Sequence, residues 1–343
     1  MLEPNAPCIP DQRTELLYPC TFGVRRTAAG GRADTIALVG DSHASHWRAA
    51  VEVVAESKGM PAVSLARSRC PFIDATVLLP PADQVRCGDW NREVKAYLTS
   101  HAEISTLFIS ERSSARFVPA KGKDNFETQV AGHIALWRSL PATIRRIVVI
   151  RDTPRSSAAS ALCVQRAFAA KRAAARRCSR PRAEALHSDP AVAAARRMRS
   201  PRVHAIDLSS FFCDAERCFP VVGGAFVYKD LDHISTVFAR TLGPYLLRAY
   251  DDIAQPVPAP SVSGGPLDEL RPDERAAAEC LIAERLEALA AGGWAKVGSE
   301  DVQRANACRT LLANRASELA ALGLSGERNR SNRYAVIVAV LGA

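Results

Sequence analysis

The sequence predicts an α/β protein, a three-layer α/β/α sandwich around a central, mostly parallel five-stranded sheet, with a C-terminal helical extension. Three observations predict it. Short β-branched, aliphatic runs recur through the first three quarters of the chain, and helical patterns separate them. The first such run, "TIALVG", ends in Asp-Ser-His, a turn that opens a helix.

Thr35–Val39 reads as a strand buried on both faces. Gly40 frees the backbone to turn, and Asp41 or Ser42 can cap the helix "HASHWRAAVEVVAESKGM", which sets Trp47, Val51 and Val54 on one face. "PAVSLARS" is the second strand, "NREVKAYLTSHA" a helix, "STLFISER" the third strand and "FETQVAGHIALWRSL" a helix. "RRIVVIRDTP" is the fourth strand, stopped by Pro154, and "RVHAIDLSSFF" the fifth. "STVFARTLGPYLLRAYDDI", with Pro244 inside it, closes the domain as a helix. Strands separated by helices imply parallel pairing with helices on both faces.

This reading gives one domain over residues 1–253, a Pro/Gly/Ser linker over 254–267 and a helical extension over 268–343. The extension carries two Ala/Leu-rich helical patterns, Asp268–Ala290 and Asp301–Leu322, with Cys280 in one and Cys308 in the other. A disulfide between them would staple a helical hairpin.

At 48% hydrophobic and 24% charged residues, the composition is that of a globular chain rather than a disordered one. No apolar run reaches the ~18–20 residues of a membrane helix. The N-terminus has neither a basic start nor an apolar core, so no secretion signal is read there. Much of the net charge of +9 falls in Val164–Arg202, rich in Arg and Ala with few acids. That stretch lacks interleaved aromatics and matches no helix-turn-helix or finger pattern, so no nucleic-acid partner is expected. A solvated helical excursion is the plain reading, and an anionic glycan or lipid head group the next.

The ten cysteines contain no C-x-x-C pair, which argues against zinc ribbons and thioredoxin-like sites. An even number in adjacent pairs suits disulfides and an oxidising compartment, and free buried thiols are the other reading. Proximity along the chain favours Cys70–Cys87 and Cys213–Cys218, then Cys163–Cys178 and Cys8–Cys20, although spacing alone does not fix connectivity. Disulfides without a visible signal conflict, unless the sequence is a piece of a longer, membrane-anchored chain.

A serine hydroxyl at the end of a strand needs a base to become a nucleophile. Of seven histidines, only His233 arrives with a carboxylate at useful spacing, Asp230 in "YKDLDHIS". That spacing allows Asp230 to hold Nδ1–H while Nε2 faces Ser42. The adjacent Asp232 fits less well. Asp41 is expected to tie the turn together through backbone hydrogen bonds. His43 and His46 share a helix face, but no third ligand stands at convincing spacing, and no metal is expected.

"GDSHASHW" together with "DLDHIS" resembles the SGNH/GDSL esterase superfamily. The likeness is closer to the SGNH domain of acyltransferase family 3 proteins, over approximately residues 8–252. "SRCPF", "IDLSSFFCDAERC" and "VYKDLDHIS" carry it further. The resemblance implies Ser42 as nucleophile, His233 as general acid/base and Asp230 as its orienting carboxylate. It implies an oxyanion or substrate site around the Ser42 N–H, Gly40 and His43. The superfamily's oxyanion Asn has no counterpart in "LFISERSSARF", where Arg112 is either a cationic substitute or a surface ion-pair partner of Glu111 or another acid. The implied activity is O-acyl transfer, acetyl by preference, to a cell-surface polysaccharide or lipid-linked glycan through an acyl-serine. No cofactor is implied in this domain, since a fused or neighbouring multi-span membrane acyltransferase would supply the acyl donor. The implied location is periplasmic or otherwise extracytoplasmic, at a membrane. A free-standing carbohydrate esterase, and a non-catalytic glycan- or nucleic-acid-binding scaffold, are the rival readings.

Overall fold

The computed structural model describes residues 16–24 and 34–254. The expectations for Cys8, for the linker beyond Ala254 and for the extension with Cys280 and Cys308 lie outside the described residues. The elements run β1 Cys20–Gly23, β2 Thr35–Gly40, α1 Ser42–Ser57, β3 Pro61–Ala66, α2 Pro81–Ser100, β4 Ile104–Ser110, α3 Asn125–Ser139 and β5 Arg146–Ile150. There follow α4 Ala158–Ala169, β6 Arg180–Pro181, α5 Arg182–Ala185, α6 Pro190–Met198 and β7 Val203–Ile206. Three two-residue strands, β8 Arg217–Cys218, β9 Val221–Val222 and β10 Ala225–Phe226, precede α7 Thr236–Ala254.

The main sheet has six strands in the order β1-β3-β2-β4-β5-β7. The five strands read from sequence are its parallel members. The sixth, β1, corrects the expected count. It lies antiparallel on the β3 edge, pairing Cys20 with Ser64. Its four residues give too short a pattern to signal a strand, and its pairing comes from the neighbour. The helix expected from Asn91 starts ten residues earlier, at Pro81. Pro81 occupies the first helical turn, where a missing N–H costs nothing.

The pleat sorts each strand between two cores. Ala37, Val39, Leu107, Ile109, Ile147 and Val149 face Trp90, Val94 and Leu98 of α2, Trp137 of α3 and Ala194 of α6. Ile36, Leu38, Phe108, Val148 and Ile150 face Trp47, Val51 and Val54 of α1 and Phe238, Leu242 and Leu246 of α7. Burial on both faces explains why the strands are runs of apolar residues rather than alternating ones. Each such Val, Leu, Ile or Phe side chain contributes roughly 1.5–3 kcal/mol by leaving water. Helices α1 and α7 approach so closely that a Cβ on Gly243 would sit 2.6 Å from Val53.

Disulfides join Cys70 to Cys87, Cys163 to Cys178 and Cys213 to Cys218. The first ties the loop after β3 to α2, and the second closes the basic excursion after α4. Among the described residues no helix is long and apolar enough to cross a membrane.

The strand order reverses at β2, whose following strand β3 lies on one side and β4 on the other. Open α/β sheets leave a crevice at such a point, beyond the carboxyl ends of the strands. Three polar segments end there, Gly40–Asp41–Ser42 after β2, Glu111–Arg112–Ser113 after β4 and Asp152 after β5.

Candidate active site

Gly40 makes the turn out of β2 at φ 148°, and a Cβ there would lie 2.2 Å from the Ser110 carbonyl oxygen. Only glycine fits a position with both constraints. Asp41 caps α1, its Oδ1 accepting from the His43 N–H at 2.8 Å and its Oδ2 from the Arg112 N–H at 3.1 Å. It thus bolts the β2 turn to the β4 turn, and burial pushes its carboxyl up despite those donors. Ser42, at the first helical position, has a backbone N–H that no residue of its own helix can satisfy.

His233 comes from the loop before α7. Its Nε2 lies 2.8 Å from Ser42 Oγ. Its Nδ1 lies 2.9 Å and 3.0 Å from the two carboxylate oxygens of Asp230. The carboxylate fixes the tautomer, so Nδ1 donates to Asp230 and Nε2 accepts the Ser42 hydroxyl. Asp230 is itself held by the N–H groups of Asp232 and His233, at 3.0 Å and 2.8 Å. Partial burial raises its pKa, and these donors outweigh it and hold the carboxyl below the usual range. Asp232 Oδ1 stands 3.4 Å from His233 Nδ1, while its Oδ2 pairs with Arg112 and Arg155, each at 3.3 Å. The expected Ser42, His233 and Asp230 therefore meet.

Arg112, one of the two alternatives left open by the sequence, pairs with Asp232 and hydrogen-bonds Ser114 Oγ at 3.1 Å. It does not pair with its neighbour Glu111, which turns inward instead. That buried carboxylate accepts from the Phe72 N–H at 2.5 Å and faces His133 at 3.4 Å. Burial pushes Glu111 well above the usual carboxylate range.

Asp152 is the residue sequence reasoning missed. It sits two residues past the end of β5 and is buried. Its Oδ1 lies 2.6 Å from His43 Nδ1 and accepts from the Thr153 N–H at 2.8 Å. Its Oδ2 accepts from Ser113 N–H at 2.8 Å and Ser113 Oγ at 2.7 Å, and its own N–H donates to Asp189 at 2.8 Å. Burial alone would lower the His43 pKa, but the Asp152 charge and hydrogen bond raise it to about 9. The His43 ring stands 4.9 Å from the His233 ring. The signal was available, as an acid directly after a buried strand lies where parallel sheets keep chemistry. Nothing in the sequence paired it with His43, 109 residues away.

His46 shares the face, its ring 4.9 Å from His43, and burial drives its pKa well down. His43, Asp232 and His233 place ligand-type atoms within 4.8 Å of one another. All three are committed to protein partners, His43 to Asp152, Asp232 to the two arginines and His233 to Ser42 and Asp230. The arrangement is a hydroxyl, a base and a carboxylate in line, flanked by the Asp152-paired His43 and the Asp232-paired Arg112. Chemically, it can deprotonate an alcohol and stabilise an anion formed next to it.

No curated protein matches the chain. One similar solved structure is that of a Salmonella ser. Paratyphi A lipopolysaccharide acetyltransferase periplasmic domain. It is 12% identical, with a TM-score of 0.48, over 64% of this chain and 84% of that one. The family described as SGNH domain (fused to AT3 domains) matches residues 7–248, and with that span the chain belongs to this family.

Proposed function

We propose that the chain catalyses serine-dependent O-acyl transfer, carrying an acyl group, acetyl by preference, from a donor to a hydroxyl of a cell-surface polysaccharide or lipid-linked glycan. The observation that carries this reading is the 2.8 Å contact between Ser42 Oγ and His233 Nε2, with Asp230 behind the imidazole. Membership in a family of domains fused to AT3 domains supports acyl transfer and an AT3 acyltransferase partner in the membrane as the source of the acyl group. The three disulfides support an oxidising, extracytoplasmic setting.

Ser42 Oγ attacks the acyl carbonyl carbon as its proton passes to His233 Nε2. The tetrahedral oxyanion forms beside the Ser42 N–H and within the field of the His43 imidazolium and the Arg112 guanidinium. His233 returns the proton to the leaving oxygen, which departs and leaves an acyl-serine. An acceptor hydroxyl then gives its proton to His233 and attacks the acyl carbon, and collapse restores Ser42. Water in place of the sugar hydroxyl would give hydrolysis through the same intermediate.

Ser42→Ala is the direct test. It should abolish hydrolysis of p-nitrophenyl acetate and labelling by a fluorophosphonate, with the label on the wild type mapping to the peptide containing Ser42. Undiminished turnover in Ser42→Ala would refute the assignment.

A further inference from the structure

The Arg-rich excursion singled out in the sequence has no part in the chemistry above. It carries, however, an exposed aromatic pair. Phe168, in the last turn of α4, is 73% exposed, and Phe226, in β10, is 49% exposed. Their rings lie 6.2 Å apart. Two large apolar side chains in contact on the outside of a domain cost hydration free energy and call for a covering partner.

The patch is rigid. Val164, Ala167 and Cys178 form a small core of their own, and Val221 of β9 packs against it. The Cys163–Cys178 disulfide clamps the base of the excursion. Chain reversal after α4 folds the backbone of the next two cationic residues back onto the end of that helix, the Lys171 N–H bonding the Phe168 carbonyl at 3.0 Å and the Arg172 N–H that of Ala167 at 2.8 Å. Arg166, Lys171, Arg172 and Arg177 are all exposed and form no ion pair among the described residues. No acidic residue occurs between Val164 and Arg182.

The patch is also joined to the loop that bears His233. Phe226 accepts from Ser235 Oγ through its carbonyl at 2.6 Å, and the Ser156 N–H, just before α4, donates to the Leu231 carbonyl at 2.8 Å. Exposed aromatic side chains on the same excursion as unpaired cations suit an anionic lipid bilayer, because a polyanionic glycan would use the cations and leave the rings uncovered. At a bilayer the rings enter the interfacial layer and the cations meet lipid phosphates.

We infer that Phe168 and Phe226, with Arg166, Lys171, Arg172 and Arg177, dock the domain on an anionic phospholipid surface and present the Ser42 crevice to molecules held there. This binding needs no acyl transfer, so it stands or falls apart from the function proposed above.

The test is flotation of the full chain with vesicles of phosphatidylglycerol and phosphatidylethanolamine, against vesicles of phosphatidylcholine alone. The chain should float with the anionic vesicles, and rising salt should release it. Phe168→Ser with Phe226→Ser should weaken partitioning about ten-fold or more. Lys171→Glu with Arg172→Glu should weaken it by at least about five-fold per charge removed. Hydrolysis of p-nitrophenyl acetate should be unchanged in both variants, which shows that they fold. Failure to bind anionic vesicles would overturn the inference, as would binding indifferent to both pairs of substitutions. Competition by dextran sulfate together with indifference to the aromatic pair would assign the surface to a polyanionic glycan and equally overturn it.

Discussion

Ser42 and His233 lie 191 residues apart in the chain and 2.8 Å apart in space. Ser42 is the first residue of α1 and His233 lies in the loop just before α7, and these two helices pack against each other on one face of the sheet through Val53 and Gly243. The packing of this helix pair therefore aligns the Ser42 hydroxyl with the His233 imidazole. The carboxylate behind His233 is a local matter, since Asp230 is three residues away and is held by backbone N–H groups of the same loop.

That difference separates the two nearby acids. Asp230→Asn removes the charge behind Nδ1 and should lower kcat/KM for p-nitrophenyl acetate by about 10²–10⁴-fold. Asp232→Asn leaves Asp230 in place and loosens the Arg112 and Arg155 pairs, so its effect should stay within about ten-fold. Steady-state kinetics of the two variants decide it, and a larger loss in Asp232→Asn would exchange the two roles.

Gly40→Ala should be severely destabilising. The added Cβ meets the Ser110 carbonyl at 2.2 Å, and a φ of 148° is itself disfavoured for any side chain. The neighbour is strand backbone and cannot swing away. A loss of about 3–5 kcal/mol in urea unfolding is expected, and a loss under 1 kcal/mol would show that the turn adapts.

How far the sequence reveals this molecule follows from what kind of signal each part leaves. The five parallel strands are legible because burial on both faces makes them apolar runs. Strand β1 is not, since an edge strand of four residues acquires its identity by pairing with β3. The start of α2 is obscured by Pro80 and Pro81, which cap and open the helix. Ser42, His233 and Asp230 stand out because each pair of neighbours in the motif carries its own spacing. Asp152 does not, because its link to His43 is made by the order of strands β2, β4 and β5 rather than by any local pattern.

The Cys70–Cys87 disulfide closes a separation of 17 residues that includes Phe72, whose N–H bonds the buried Glu111. Cys70→Ser with Cys87→Ser should lower stability by about 3 kcal/mol through the freed chain entropy of the unfolded state. Guanidinium unfolding with and without reductant checks it. The wild type should lose stability on reduction, and the double variant should lose less by the contribution of this bridge.

The His43–Asp152 pair predicts a pH dependence whose sign is fixed. The folded pKa of His43 is raised from 6.5 to about 9. Its contribution to stability is therefore fully present below pH 6.5 and is lost as pH rises through about 9. Asp152 acts in the opposite sense at acid pH. Burial raises its pKa, but His43 and Ser113 hold it below the usual range, so its contribution is lost as pH falls through that lowered value. Between these limits the pair is intact, and the His43 contribution is on the order of 3 kcal/mol. Thermal unfolding of the wild type should show Tm falling between pH 6.5 and 9. Asp152→Asn should unfold at a lower temperature and lose that slope, because burial then keeps the imidazole neutral throughout. Imidazole resonances read the same event directly, with the His43 signals of the wild type holding steady until the pH nears 9. A midpoint at or below 6.5 for His43 in the wild type would show that Asp152 does not hold the imidazole charged, and the proposed oxyanion would then lack that charge beside it.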